Sequence, residues 1–260
     1  MGRMALSAHK GDYDLERENC ILISNGKNWI EQAAIDQLHG VANLPGVVKT
    51  AGLPDLHPGK TPVGMAVLSR ERFYPHLIGN DIGCGMSLFS TGVKQKKFRM
   101  DKWESRLNQI RELSDIPCGN PYDEVCPVRD LGTIGTGNHF AEFQCLENVY
   151  REEEANRLGL LHGRLMLLIH SGSRGYGQEI LNRYYSPEGL AEGSKEAEDS
   201  LKEHDSAVLW AGRNRIVTAK KLLTWLGVER EVTPLLESCH NYLERTETGW
   251  LHRKGSVSTK

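Results

Sequence analysis

Four short segments of the sequence combine metal-binding side chains with glycine or other small neighbours. They contain Asp81 and Cys84, then His139, then His170, and finally His240. In this mixed donor set the carboxylate favours manganese or magnesium, whereas imidazole and thiolate favour zinc. Five ligands can hold two ions that share one ligand. Cys84 is the obvious shared ligand, because a thiolate between two cations is fully deprotonated.

Each of these residues also has an ordinary structural explanation when it is taken alone. Asp81 could cap its own backbone in a turn. Cys84 could be a small core residue, as Cys239 is interpreted to be. A histidine at the end of a strand, such as His170, is usually a polar residue with satisfied hydrogen bonds. The metal-binding interpretation therefore depends on the set rather than on one member.

Two glycine-rich segments, 132–139 and 171–177, can bring several backbone N–H groups together. Such concave runs bind anions. Arg174 lies inside the second run, and its guanidinium matches the geometry of a phosphate; Lys254 is another candidate phosphate contact. Neither run has the spacing of a P-loop or of a Rossmann dinucleotide motif. The sequence predicts phosphate binding beside a metal, and simple tight turns are the alternative.

The elements that position these residues are predicted from hydrophobic periodicity and turn signals. The predicted strands are 17–25 at a sheet edge, 65–69, 86–90, 139–144 and 164–170. The predicted helices are 28–42, 101–113 and 194–227, the last beginning at Ser194 and ending at Gly227. The proline and glycine spacing of 51–69 excludes a long helix there. We expect one domain of mixed strands and helices.

Composition sets broad limits on the class of protein. The 260 residues carry a formal net charge of −2, so no global positive field indicates a nucleic-acid partner, although a local basic groove is compatible with this balance. No segment approaches the ~20 apolar residues of a membrane span, and the N-terminus lacks the apolar core of a signal peptide. No C-x-x-C pair indicates a zinc knuckle, and free thiols in a reducing cytoplasm are expected. The cysteines are Cys20, Cys84, Cys118, Cys126, Cys145 and Cys239.

Five motifs resemble those of the RtcB RNA ligases and occur in the same order. They are PDLHPG (54–59), NDIGCG (80–85), GTGNHFAE (135–142), HSGSRG (170–175) and HNYLE…HRKG (240–255). The resemblance extends from about residue 50 to the end of the chain, and NDIGCGM is most similar to the branch found beside release factor H. It implies an α+β fold with a β-rich core flanked by helices.

The resemblance also implies a reaction and its metal ligands. RtcB ligases join RNA ends bearing a 2′,3′-cyclic phosphate or a 3′-phosphate to a 5′-hydroxyl, using GTP and manganese. The substrate would be broken transfer RNA or ribosomal RNA. The implied ligands for two manganese ions, with zinc as the alternative metal, are Asp81, Cys84, His139, His170 and His240.

Further positions carry over to the nucleotide site. Asn138, Glu142, Arg174 and Lys254 match positions that contact guanine or phosphate in the family. Asp55, in the PDLHPG motif, matches the aspartate that orients the nucleophilic histidine of the family.

The nucleophile itself is the point at which the sequence departs from the family pattern. That histidine lies in an H-G-A-G-R-like motif, which does not occur in these 260 residues; His252 belongs to HRKG instead. We therefore expect residues 1–260 to form a single RtcB-like domain that lacks the C-terminal segment of the family and cannot begin the reaction alone. A truncated or frame-shifted gene, a second chain that completes the site, and a remnant with another role are the three explanations.

Two other functions stay open at this stage. A two-metal site with an activated water needs no histidine nucleophile, so a metal-dependent phosphohydrolase acting on RNA ends is one alternative. An inactive metal- or RNA-binding remnant is the other.

Overall fold

The structure is a computed structural model and describes residues 19–25, 27–116, 130–228 and 231–258. Its α-helices are α1 (Gln32–Ala42), α2 (Met100–Leu107), α3 (Glu152–Arg157), α4 (Gly175–Tyr184) and α5 (Lys195–Trp225). Its strands are β1 (Cys20–Leu22), β2 (Val47–His57), β3 (Val63–Ser69), β4 (Arg72–Phe73), β5 (Gly85–Lys94), β6 (Phe140–Cys145), β7 (Arg164–Ser171), β8 (Leu190–Ala191), β9 (Pro234–Cys239), β10 (Asn241–Thr246) and β11 (Gly249–Lys254). The predicted α+β class is confirmed.

Contacts within the chain divide it into two compact units. The first comprises the described residues of 1–80, 178–204 and 240–260, and the second comprises those of 81–177 and 205–239. A single domain stays a prediction. Predictions for residues 17, 18 and Gly26, and for Cys118 and Cys126, fall outside the described residues. Within the described part of the chain, no helix is both long enough and apolar enough to cross a membrane.

The first unit is built on a five-stranded sheet with the order β1-β2-β3-β11-β10. The short strand β1 lies at the edge, as predicted for 17–25, and pairs in parallel with β2. Helix α1 buries Ala34 and Leu38 in the same cluster as Met65 and Val67 of β3. The short strands β4 and β8 pair separately. Met65 and Val67 are buried in β3, so the prediction of a buried strand at 65–69 is confirmed.

The second unit is built on an antiparallel sheet with the order β6-β7-β5-β9. Its central strands, β5 and β7, run from the pair Gly85 and Ser171 at one end to the pair Lys94 and Arg164 at the other. Phe89, Leu167 and Ile169 pack with apolar residues from the C-terminal half of α5. Burial on both faces explains the continuous apolar run of 164–170, and the predicted strand there is confirmed.

Helix α5 agrees with its predicted boundaries within two residues at each end. The hydroxyl of Ser194 accepts a hydrogen bond from the N–H of Ala197 at 3.2 Å, which caps the first turn. Gly227 follows the helix with a φ of 78°, a conformation that glycine adopts without the strain a Cβ would add.

The prediction of a helix over 101–113 was wrong at its C-terminal end, because α2 stops at Leu107. The Arg106 carbonyl accepts a hydrogen bond from the indole N–H of Trp225 at 2.9 Å. The guanidinium of Arg106 in turn donates to the Leu226 carbonyl at 2.5 Å. These contacts between distant residues form where the α-helix ends, and the local bonds there change to the tighter pattern in which Gln109 N–H donates to the Arg106 carbonyl.

Strands β2, β9, β10 and β11 were not predicted. In β2 the pairing with β3 is irregular between Gly52 and His57, where Pro54 supplies no N–H. Cys239 at the end of β9 is half-buried, so its interpretation as a core residue was wrong.

Candidate metal centre

The residues with metal-binding side chains in the second unit lie at one end of its sheet. Cys84 immediately precedes β5, and His139 immediately precedes β6. His170 is the penultimate residue of β7 and is registered with Met86 on one side and Phe140 on the other. Because neighbouring antiparallel strands begin and end at the same edge, the register brings the three side chains to a common edge.

The distances bring Asp81, Cys84 and His139 within reach of one ion, with His170 in contact with Cys84. The Cys84 Sγ lies 3.3 Å from the Nε2 of His139 and 3.3 Å from the Nε2 of His170. The Nε2 of His139 is also 2.8 Å from the Oδ2 of Asp81. The ligand atoms of Asp81, Cys84 and His139 all lie within 4.8 Å of one another. These are four of the five metal ligands predicted from the sequence, and their role as ligands stays a prediction.

The imidazole of His170 has a tautomer suited to metal binding. Its Nδ1 lies 3.0 Å from the carbonyl oxygen of Asn138. A carbonyl only accepts, so Nδ1 carries the proton and Nε2 presents its lone pair towards Cys84. Burial lowers the pKa of His170, which keeps the ring neutral. Metal-binding histidines commonly donate their other N–H to a carbonyl in this way.

The carboxylate of Asp81 packs directly against Gly172, which has no side chain to block it. A Cβ on Gly172 would lie 2.2 Å from the Oδ1 of Asp81. Burial opposes ionisation of this carboxyl, but hydrogen bonds from His139 and Cys84 outweigh it and lower the pKa of Asp81. The backbone N–H of Arg174 adds a further bond to Oδ1 at 3.3 Å.

The donor set fits a divalent cation. Burial, together with the negative charge of Asp81, raises the pKa of the Cys84 thiol. The buried Nδ1 of His139 has no hydrogen-bond partner among the described residues. The Cys84 thiol, the Asp81 carboxylate and the Nε2 atoms of His139 and His170 therefore converge at hydrogen-bond distances. A bound cation would favour the thiolate and satisfy these acceptors together.

One buried arginine on α5 connects the segments that carry these ligands. Arg215 Nη1 donates to the carbonyl of Gly83 at 3.1 Å and to that of Ser171 at 2.8 Å. Its Nε donates to the hydroxyl of Ser87 at 2.7 Å, and Nη2 donates to Glu237 at 2.7 Å. The side chain of Arg215 is 2% exposed, so these bonds form away from water.

The preceding residue, Asn214, fixes the first glycine-rich segment. Its Oδ1 accepts from the N–H groups of Gly132 and Thr133 at 2.6 and 3.1 Å. Its Nδ2 donates to the Thr133 carbonyl at 2.8 Å and to the Ser171 hydroxyl at 2.9 Å. Sequence reasoning missed both Asn214 and Arg215, because nothing in the pattern of a 31-residue helix distinguishes two buried polar positions from a solvated face.

Three of the predicted nucleotide contacts also belong to this unit. Arg174 has a φ of 58°, and its Nε is buried without a hydrogen-bond partner among the described residues. Its guanidinium lies over Gly135, where a Cβ would be 1.9 Å from Nη1. Asn138 and Glu142 are exposed, and Glu142 accepts from Gln144. The guanidinium of Arg174 thus packs on Gly135, and its Nε can donate to an anion.

The remaining candidate residues belong to the first unit. The Asp55 carbonyl accepts from the Nδ1 of His57 at 2.8 Å, and Asp55 itself is exposed. Lys254 Nζ donates to the carbonyl of Thr61 at 2.8 Å and to its hydroxyl at 2.6 Å. Burial lowers the pKa of Lys254 to about 8. The carbonyl of His240 accepts from the N–H of Ser256 at 3.2 Å, and its role as a metal ligand stays a prediction.

Comparison with known proteins identifies the family of this chain. The family model described as tRNA-splicing ligase RtcB matches residues 37–125 and 120–260. The chain belongs to the RtcB family. The RtcB resemblance that the five motifs indicated is thus confirmed.

Curated relatives agree with this assignment. The chain is 41% identical over 251 residues to an RNA-splicing ligase RtcB2 of Escherichia coli, with 90% of this chain aligned. It is 27% identical over 298 residues to the RNA-splicing ligase RtcB of Escherichia coli K12, with 89% of this chain aligned. It is 26% identical over 210 residues to the tRNA-splicing ligase RtcB of Thermococcus kodakarensis, with 59% of this chain aligned. The chain spans 65%, 70% and 43% of these three relatives.

Proposed function

We propose that this RtcB-family chain carries the metal-binding part of a GTP- and manganese-dependent RNA ligase. The ligase would join 2′,3′-cyclic phosphate or 3′-phosphate ends to 5′-hydroxyl ends in the repair of transfer RNA or ribosomal RNA. The observation that supports this most strongly is the position of Cys84 Sγ, 3.3 Å from the Nε2 atoms of both His139 and His170. The names of the relatives support RNA joining as the reaction class.

The residues that would hold two divalent ions are Asp81, Cys84, His139, His170 and His240. Manganese is the proposed metal, and zinc is the alternative because two or more imidazoles and a thiolate also suit it. When bound, such ions neutralise the charge of phosphate oxygens and orient them.

The other residues of the second unit would bind and orient phosphate. Arg174 presents a partly buried guanidinium whose Nε has no partner among the described residues, which fits a phosphate oxygen. Asn138 serves two parts of the site, since its carbonyl orients His170 and its exposed side chain is free to meet a nucleotide. Glu142 is the proposed contact to guanine. Phosphoryl transfer depends more on such positioning than on acid–base groups, so no paired carboxylates are needed.

Two residues of the first unit complete the proposed set. Lys254 is the proposed phosphate contact, and its bonds to Thr61 fix the position of the ammonium group. Asp55 is the proposed positioning residue for the histidine that would be guanylylated. These 260 residues do not contain the motif in which the family has that histidine, so a further segment or a second chain is part of the proposal.

A cytoplasmic setting and a link to release factor H complete the proposal. The described cysteines Cys20, Cys84, Cys145 and Cys239 are free thiols, which suits a reducing compartment. The similarity of NDIGCGM to the release factor H branch is the basis of the proposed link to that protein.

The test is sealing of a nicked RNA hairpin with a 3′-phosphate and a 5′-hydroxyl at the nick. One arm contains this chain with manganese and GTP, and the other contains this chain fused to a C-terminal segment that carries the H-G-A-G-R-like motif of the family. We expect sealing in the fused arm only, with loss in Cys84→Ala and retention in Cys145→Ala, whose thiol is exposed on β6.

Three results would contradict the ligase proposal. They are a nick left unsealed in both arms, sealing that persists in Cys84→Ala, and product that forms without GTP. Hydrolysis of a cyclic-phosphate end without GTP, lost in Cys84→Ala, would replace the ligase by a metal-dependent phosphohydrolase. Metal and RNA binding without either reaction would favour an inactive binding subunit.

A further inference from the structure

A groove rich in positive charge lies at the opposite end of the second unit's sheet from the metal centre. Its volume is about 770 Å³, and its lining comes from the end of β5 with the residues after it and from the start of β7 with the residues before it. We call it the basic groove and define it by residues 94–96 and 161–164. Its charged residues are Lys94, Lys96 and Arg164, with His162 beside them, and none of its lining residues is acidic.

The fold holds two of these cations side by side. Lys94 and Arg164 are directly registered partners in the β5–β7 pair. Like charges in that arrangement destabilise a sheet. The two segments are nevertheless locked together, because Gln95 N–H donates to the Gly163 carbonyl at 2.8 Å and Arg164 Nη1 donates to the Gly92 carbonyl at 2.9 Å.

No carboxylate of the described residues compensates this charge. The ion pairs among the described residues do not include Lys94, Lys96 or Arg164. Lys94 and Lys96 are exposed, and Arg164 is half-buried. The whole chain carries a net charge of −2, so this local excess of positive charge differs from the rest of the sequence. An anionic partner would relieve the repulsion that the fold itself leaves in place.

The form of the basic groove favours a long anion over a small one. Among the described residues that line it, no fully buried donor encloses a single phosphate; instead, two exposed lysines of one segment face Arg164 and His162 of the other. A lysine is a compact charge on a flexible stem, so it tolerates variable phosphate positions. Such cations give sequence-independent binding to a nucleic-acid backbone.

We propose that the basic groove binds the phosphodiester backbone of RNA at a distance from the ends that are joined. The inference rests on the proposed function only in taking RNA as the polyanion. At ~3.3 Å per residue, Gly85 beside Cys84 and Lys94 in the groove lie about 30 Å apart along β5. The groove would therefore hold the body of the RNA while its ends lie at the metal centre.

The experiment measures RNA affinity as a function of salt with the full chain. A fluorescent single-stranded RNA of fixed sequence is titrated between about 50 and 200 mM salt. The test variant is Lys94→Gln with Lys96→Gln. The matched control is Lys102→Gln with Lys220→Gln, which removes two exposed lysines of the same unit outside the groove. Manganese binding by each variant confirms that the sheet is intact.

We expect the groove variant to bind RNA more weakly and to lower the slope of log affinity against log salt by about 1.4, or ~0.7 for each lost phosphate contact. The control should keep the wild-type slope. The groove substitutions should lower the slope by the same amount in a Cys84→Ala background, because the groove contacts do not depend on the metal centre, and this comparison separates the two proposals.

Equal slopes for the groove variant and the control would overturn the inference, as would an absence of RNA binding by the wild-type chain. A groove variant that loses affinity for polyglutamate but not for RNA would assign the groove to an acidic protein partner and would also overturn it. None of these results would by itself decide whether the chain takes part in ligation.

Discussion

Arg215 lies with its Nη1 3.1 Å from the carbonyl oxygen of Gly83, the residue before Cys84. The same nitrogen donates to the carbonyl of Ser171, the residue after His170, at 2.8 Å. One buried guanidinium thus fixes the backbone beside two of the proposed metal ligands. The planar fork makes these bonds together with those to Ser87 and Glu237, whereas a lysine has one nitrogen and three donors for four acceptors.

The first prediction is that Arg215→Lys weakens metal binding. The charge is kept, but one lysine nitrogen cannot make all four bonds of Arg215, so the ligand segments are held less well. We expect manganese affinity to fall about 10- to 100-fold, the range for residues that orient metal ligands. Isothermal titration calorimetry with Mn²⁺ measures this. The control is Arg151→Lys, at an arginine whose side chain is 75% exposed. An Arg215→Lys protein that folds and binds manganese like wild type would refute the role of Arg215 in holding the ligand segments.

The second prediction concerns the neighbouring residue. Asn214→Asp keeps the shape but removes the two N–H donors that bond Thr133 and Ser171. A buried carboxylate would then face the Thr133 carbonyl. We expect a loss of about 2–4 kcal/mol in the free energy of unfolding, because buried polar groups lose their partners. Urea unfolding measures it, with Asn148→Asp at an exposed loop position as the control; equal stabilities of the two variants would count against the prediction.

The third prediction uses two glycines of the same segment. Gly135 and Gly137 both have positive φ, at 106° and 82°. A Cβ on Gly135 would meet the guanidinium of Arg174, whereas a Cβ on Gly137 would meet nothing within 4 Å. If Arg174 binds phosphate, Gly135→Ala should weaken GTP binding about tenfold more than Gly137→Ala, since one charge-assisted bond contributes about 1.5–3 kcal/mol.

Equilibrium dialysis with labelled GTP and manganese measures this difference. Arg174→Ala should weaken GTP binding as much as Gly135→Ala, and the double variant should be no weaker than either. The same affinity in Gly135→Ala and Gly137→Ala would show that the displacement of Arg174 is irrelevant to the nucleotide.

The fourth prediction is an acid sensitivity of the first unit. His252 is buried; its Nε2 accepts from the Tyr74 N–H at 2.9 Å, and its Nδ1 donates to the Val67 carbonyl at 3.1 Å. Burial lowers the pKa of His252 from 6.5 to about 4, with the nearby rings of His76 and His204 acting in the same direction. Protonation would place a proton against the Tyr74 N–H.

The sign of the effect follows from this lowered pKa. The unfolded chain takes up the proton first, so the stabilisation is complete above 6.5 and is lost as the pH falls towards 4. The full loss is about 3 kcal/mol. We expect His252→Gln to be less stable at neutral pH but to show a flatter decline in urea unfolding from about pH 7 to about pH 5. The control is His162→Gln, at an exposed position. If the stability of His252→Gln falls with pH as steeply as that of wild type or of this control, the acid sensitivity belongs to other groups.

Local sequence was sufficient to place Cys84 and His170 relative to their strands, because both strands have a clear apolar pattern, whereas the strands on either side of His240 were not predicted. Cys84 and His170 flank the runs that became β5 and β7, so the position of each ligand followed from the strand next to it. The glycine context of Arg174 similarly indicated an anion-binding run or a tight turn, and Arg174 has a φ of 58°.

The parts that sequence could not predict depend on contacts between distant residues. Asn214 and Arg215 lie more than 40 residues along the chain from Ser171, and only the packing of α5 on the sheet brings them together. The early end of α2 has the same cause, since Trp225 lies 119 residues from Arg106. Strand β2 was hidden by Pro54, which local rules assign to a turn.

The most direct test of the central claim is the absorption spectrum of the protein loaded with Co²⁺ in place of the proposed metal. A thiolate bound to Co²⁺ gives a charge-transfer band that water, imidazole and carboxylate ligands do not give. We predict this band in the wild-type chain, in Cys145→Ala and in Cys239→Ala, and its loss in Cys84→Ala. A band that persists in Cys84→Ala, or a wild-type chain that binds Co²⁺ without one, would contradict a metal centre built around Cys84.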